Sequence, residues 1–139
     1  MHKEKIFSGN TVNQVAERFA SIVSQNYLNT LLLWKNTAMQ DTEEVGYWNQ
    51  KLKSEPEKVK KRTYEKILKI IGEMDNPYLK RKGLFGRRVV ISITRSSGFY
   101  RDLLGGKDIK GSVEPNVEYW IDRKNLTIEK RIHPAYKRL

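Results

Sequence analysis

The stretch whose reading decides the fold is VEYWIDRKNLTIEKRI, residues 117–132. Val117, Tyr119 and Ile121 alternate with Glu118, Trp120 and Asp122, the period of two that a strand with one buried face requires. Leu126-Thr-Ile-Glu-Lys-Arg-Ile132 alternates in the same way, and the short Asp122-Arg-Lys-Asn125 link folds the two runs into a hairpin. Val117, Tyr119, Ile121, Leu126, Ile128 and Ile132 form its expected core set. Upstream, Arg88-Val-Val-Ile-Ser-Ile-Thr94 sets Val89, Ile91 and Ile93 on one face against Val90, Ser92 and Thr94 on the other, so it reads as a further strand. Pro134 should end the last strand and leave a short basic tail.

Before residue 77 the period is helical. Thr11-Val-Asn-Gln14 fits a capping box, and Val12, Val15, Ala16, Phe19, Ile22, Val23, Tyr27 and Leu31 follow at three- and four-residue spacing. That predicts one long helix to Trp34 or slightly beyond. A second start lies at Asp41-Thr42-Glu43-Glu44, where acids oppose the helix dipole and Val45, Trp48 and Leu52 share a face. A third lies at Ser54-Glu-Pro-Glu57, a capping box with proline in the first turn, followed by the stripe Val59, Thr63, Ile67, Ile71 and Met74. This helix should stop near Asn76-Pro77. The expected fold is therefore α+β: about three N-terminal helices, then a small, mostly antiparallel β-sheet with a C-terminal hairpin. Residues 1–139 read as a single domain, with a helical part over 1–76 and a basic β part over 77–139.

Composition excludes several function classes. The chain has no cysteine, which removes disulfides, thiolate nucleophiles and Cys-ligated metal sites. Its two histidines, His2 and His133, lie at opposite ends, so no metal and no cofactor are expected. The longest apolar run is Leu31 to Trp34, far short of the ~20 residues that cross a bilayer. With no apolar segment behind Met1-His-Lys-Glu-Lys5, a cytoplasmic protein without membrane contact is expected.

Charge is the strongest global feature. The net charge is +11, and it is unevenly spread: residues 1–50 hold four basic and five acidic side chains, residues 51–82 eleven and five, and residues 83–139 twelve and six. A neutral first third with a basic remainder suggests a scaffold part and a part that faces a polyanion. The alternative is a lysine-rich solubilising surface.

Four stretches are candidate sites. Lys58, Arg62, Lys66 and Lys69 recur at three- and four-residue intervals on the third expected helix, as point charges suited to phosphate or as a solvated face. Lys80-Arg81-Lys82-Gly83-Leu84-Phe85-Gly86-Arg87-Arg88 carries five cations in nine residues with a phenylalanine able to stack on a base. The third is RSSGFYRDLLGGKDIKG, residues 95–111. It matches neither a Walker loop nor a nucleophile elbow. Residues Gly98 to Leu104 suit a short helix stopped by Gly105-Gly106, with Phe99, Leu103 and Leu104 as a core plug and Arg95, Tyr100 and Arg101 left for binding. The fourth is the chain's last segment, where alternation puts Glu129, Arg131 and His133 on one face of the final strand.

A carboxylate, an arginine and a histidine on one sheet face are the groups that metal-free RNA cleavage uses: a base, an acid and a cation for the phosphorane. Helices followed by an antiparallel sheet bearing Arg, His and Tyr resemble the barnase/RelE-type nuclease and toxin superfamily over residues 54–139, in architecture only. The resemblance implies Arg95, Arg131 and His133, with Glu129 or Tyr136, as candidate catalytic residues. A charged terminal strand exposed to solvent has the same pattern.

Three functions fit. The first is a basic protein that binds the phosphate backbone of RNA or DNA, largely without sequence choice, and that self-associates as a homodimer through the Leu31–Trp34 face of its N-terminal helix. The second is a metal-independent endoribonuclease toxin. The third is a mobile-element regulator or inhibitor that binds an acidic protein surface.

Overall fold

The chain begins with a strand. A computed structural model describes residues 2–38, 42–72, 80–82, 88–92, 98–105 and 117–134. The elements run β1 (His2–Ser8), α1 (Val12–Ala38), α2 (Thr42–Gly72), β2 (Lys80–Lys82), β3 (Arg88–Ser92), α3 (Gly98–Leu103), β4 (Val117–Asp122) and β5 (Thr127–Ile132). The expectation of three N-terminal helices ahead of the whole sheet is thus corrected twice. A strand precedes the helices, and two long helices stand where three were expected.

The first correction is a matter of pairing. β1 lies at the edge of a five-stranded sheet of order β1-β5-β4-β3-β2, in which every neighbouring pair is antiparallel. Its first four residues are exposed and charged or polar, so no hydrophobic alternation betrays it. Backbone hydrogen bonds to β5 hold it, with Ile6 and Phe7 as apolar anchors against the core. A bulge between Lys5 and Phe7 makes this work. It sets Phe7 opposite Ile128, which is fully buried, whereas an unbroken register would turn Phe7 to the other face.

The second correction is at Pro56, which lies inside α2. Ser54 does not cap a helix there; its hydroxyl donates back to the Gln50 carbonyl at 3.1 Å, as serines do in helix interiors. The helix runs through because its apolar stripe does. Leu52, Pro56, Val59, Thr63, Ile67 and Ile70 follow at spacings of three and four without a change of phase, and Pro56 is itself buried. The helix loses one amide donor at the proline but keeps a continuous face against α1. Ser24 Oγ of α1 donates to the Pro56 carbonyl at 2.9 Å, and Lys35 Nζ meets Asn49 Oδ1 at 2.9 Å, which fixes the two helices as an antiparallel hairpin.

α1 starts as its sequence implies. Gln14 N donates to Thr11 Oγ1 at 3.2 Å, while Gln14 Oε1 accepts from Asn10 N at 2.7 Å. Val15, Phe19, Val23, Tyr27 and Leu31 are buried, and the Phe19 ring meets Tyr119 of β4 edge-on at 5.8 Å. The helical hairpin therefore covers one face of the sheet, the one formed by Val117, Tyr119, Ile121, Ile128, Val89 and Ile91. Burying one such large side chain contributes about 1.5–3 kcal/mol. No helix among the described residues is long and apolar enough to cross a membrane.

Two arginines close helix ends. Arg123, in the β4–β5 turn, donates from Nε and Nη2 to the Ile71 carbonyl at 3.1 and 2.7 Å. Arg62 of α2 donates to the Leu103 carbonyl at 2.8 Å. Each places a cation on the negative end of a helix. Gly105 ends α3 with φ of +81°, as Gly-Gly predicts, and a Cβ there would meet Arg62 Nη1 at 3.1 Å.

Candidate functional site

The β4–β5 hairpin builds the candidate site on the sheet face turned away from the helices. Asp122 fixes its turn, accepting the Lys124 and Asn125 amides at 3.0 Å each, while Leu126 takes a left-handed φ of 57°. The register that follows sets Glu118 opposite Arg131 and Trp120 opposite Glu129. Directly paired residues of antiparallel strands share a face, so four polar or aromatic side chains meet there. His133, just beyond β5, joins them.

These groups contact one another closely. Arg131 Nε lies 2.5 Å from Glu129 Oε1, and its guanidinium stacks over the Trp120 ring at 3.5 Å. His133 Nε2 lies 2.5 Å from Glu118 Oε1, and Trp120 Nε1 donates to the same oxygen at 3.4 Å. Partial burial works against ionisation of Glu118. The hydrogen bonds from His133 and Trp120, with the nearby charges of His133 and Arg131, outweigh it and hold the carboxyl below its ordinary pKa. Arg131 is nearly enclosed, with 11% of its side chain exposed, whereas His133 is 44% exposed. The immobilised cation and the accessible imidazole thus sit side by side. Among the described residues no group of three or more His, Asp or Glu side chains is arranged to hold a metal ion.

The structure brings Glu129, Arg131 and His133 to one face, as alternation implies, and adds Glu118 and Trp120. Sequence reading counted β4 only for its core residues Val117, Tyr119 and Ile121. The same alternation carried to the opposite face would have found both additions.

The candidates on α2 and α3 fall elsewhere, whereas the register puts Lys80, Lys82 and Arg88 in line with Trp120 and Asp122. Two cations of the α2 basic face hold α3: Arg62 caps it, and Lys66 pairs with Asp102. Lys58 sits 3.9 Å from Glu55, and Lys69 is exposed. Tyr100 is 4% exposed and lies in the core, so it is not the available ring expected from helix geometry. A six-residue helix packed on α2 buries more of its circumference than its Phe99, Leu103, Leu104 set suggests. Arg101 is exposed, and Leu103 and Leu104 are buried as a plug. Because α3 belongs to the helical layer, it does not share a site with the Glu129, Arg131, His133 face. Lys80, Arg81 and Lys82 form β2 and Arg88 opens β3, but their side chains lie outside the described set. Arg95, Phe85, Arg87 and Tyr136 also lie outside the described residues.

No family model, no curated protein and no solved structure matches the chain. The likeness to the barnase/RelE superfamily took a helix starting at Ser54 as its first element. The structure places Ser54 inside α2 and adds β1 to the sheet, so that architectural premise is corrected.

Proposed function

We propose that this is a small cytoplasmic nucleic-acid-binding protein that grips the phosphate backbone, largely without base choice, on the face of the sheet turned away from the helices. The observation that carries this reading is the side-by-side placement of Arg131, Trp120 and His133 within a chain of net charge +11. Arginine binds phosphate through a planar set of donors, and here Glu129 at Nε and the Trp120 ring fix the plane of that group before any ligand arrives. The charge excess of the chain supplies long-range attraction. Purified protein should carry nucleic acid through to a final column, raising its absorbance at 260 nm relative to 280 nm. Protein that is free of nucleic acid and that binds neither RNA nor DNA at low salt would refute the reading.

A second reading has its own support. Glu118, His133 and Arg131 together supply a base, an acid and a cation, which suits metal-independent cleavage of RNA. In that reaction the 2′-hydroxyl loses its proton to the base and attacks the adjacent phosphorus. The acid then protonates the departing 5′-oxygen, leaving a 2′,3′-cyclic phosphate. RNA should be cut in the presence of EDTA, and His133→Ala should abolish cutting while leaving binding within a few-fold. Persistent cleavage by that variant would remove His133 from the role. A stoichiometric protein partner captured from nuclease-treated lysate, with no nucleic acid bound, would favour an acidic protein partner over both.

A further inference from the structure

We propose that the edge strand β1, drawn from the nearly neutral first third of the chain, is part of the phosphate-binding surface, with Lys3 and Lys5 as its contacts. This inference rests on the nucleic-acid reading above and extends it to residues whose local sequence gives no hint of it. The register pairs Lys3 with Arg131 and Lys5 with Glu129. Both lysines therefore stand on the same face as Glu118, Trp120 and His133. Across β1, β5 and β4 the face reads as two rungs, Lys3–Arg131–Glu118 and Lys5–Glu129–Trp120.

The distribution of charge along these rungs points to an anion. Both carboxylates are engaged, Glu118 with His133 and Glu129 with Arg131. Lys3 and Lys5 are exposed, and neither forms an ion pair with a described residue. Among the described side chains of this face, the cations not engaged by a carboxylate are therefore the two lysines at the β1 edge. Lys3 also stands directly opposite Arg131, and like charges so placed repel each other. An anion between them removes that repulsion, and a phosphodiester is the anion that a chain of this charge attracts. Lysine on an edge strand also discourages sheet-to-sheet aggregation, but that purpose does not require an arginine opposite.

The bulge gives the arrangement its rigidity. By turning Phe7 inward opposite Ile128, it anchors the strand after Lys5 and keeps both lysines outward. The two lysines, two residues apart on one strand, lie about 6.8 Å from each other along the chain. A single strand of nucleic acid crossing the edge of the sheet can present successive phosphates to them. Its path would then continue toward Arg131 and His133.

The test is a titration of a fluorescent oligouridylate with wild type and with Lys3→Ala/Lys5→Ala, from ~50 to ~200 mM salt. At the lower salt the double variant should bind about tenfold more weakly, and its log–log salt slope should be shallower by about 1.4, the share of two phosphate contacts on a single strand. Lys3→Arg/Lys5→Arg should restore both, and all three proteins should have the same melting temperature. If wild type binds and the alanine variant matches it in affinity and slope, β1 has no part in the site, while the nucleic-acid reading stands. If wild type binds neither oligouridylate nor a DNA oligonucleotide, or binds polyglutamate instead, this inference fails together with the reading beneath it.

Discussion

Glu118 and His133, fifteen residues apart in the chain, meet at 2.5 Å because the β4–β5 hairpin folds one strand end back over the other. The contact is the joint of the candidate site. It ties the accessible imidazole to a carboxyl that also accepts from Trp120, and Trp120 in turn carries Arg131.

This contact has a pH signature. The folded pKa of Glu118 is lowered, so the stability it contributes is present above the carboxyl's unfolded pKa and is lost as pH falls through the folded value. Glu118→Gln should therefore lower the melting temperature near neutral pH and have little effect in acid, where the protonated glutamate is as uncharged as the glutamine that replaces it. Because the group is only partly buried and its partner His133 is half exposed, the neutral-pH cost should be about 1 kcal/mol or less. Equal destabilisation at both pH values would show that charge has no part in the contact.

The continuity of α2 is open to a paired substitution. If Ser54 capped a helix, Ser54→Ala would cost about 1 kcal/mol. In the structure its hydroxyl only bonds back to Gln50, so urea unfolding of Ser54→Ala should be within about 0.5 kcal/mol of wild type. Pro56→Ala returns an amide donor to the helix interior and should stabilise by about 1 kcal/mol or more, net of the packing lost with the ring. A costly Ser54→Ala with a neutral Pro56→Ala would restore the helix break.

These positions mark what the sequence could and could not disclose. The hairpin over residues 117–132, the α1 stripe and the Gly105 stop were legible because each depends on residues close in the chain. Ser54-Glu-Pro-Glu57 misled because a local capping pattern was outweighed by an apolar stripe that stays in phase across it and packs on α1. β1 was invisible because an edge strand can be held by backbone pairing to β5, and only Ile6 and Phe7 carry its apolar signal. Within the site, Glu129, Arg131 and His133 followed from alternation on one strand. Glu118 was within reach of the same alternation on β4, whereas Lys3 and Lys5 needed the pairing of β1 with β5, which no local pattern contains.

Thr63 gives a test of the helical interface. Its side chain is fully buried, and Oγ1 has no hydrogen-bond partner among the described residues. A buried hydroxyl left unpaired costs about 1–3 kcal/mol. Thr63→Val keeps the branched shape and removes the hydroxyl, so it should raise the unfolding free energy by about 1 kcal/mol in urea titration. A destabilised variant would mean that the hydroxyl is satisfied by a group outside the described residues.

The central claim is that the sheet face around Arg131 and His133 binds a phosphate backbone, and the salt dependence of binding tests it most directly. Fluorescence anisotropy with a single-stranded oligonucleotide should show binding at ~50 mM salt that weakens steeply toward ~200 mM, with a log–log slope of about −2 or steeper, as expected for three or more phosphate contacts. Binding that is undetectable at the lower salt, or that does not change across the range, would contradict it.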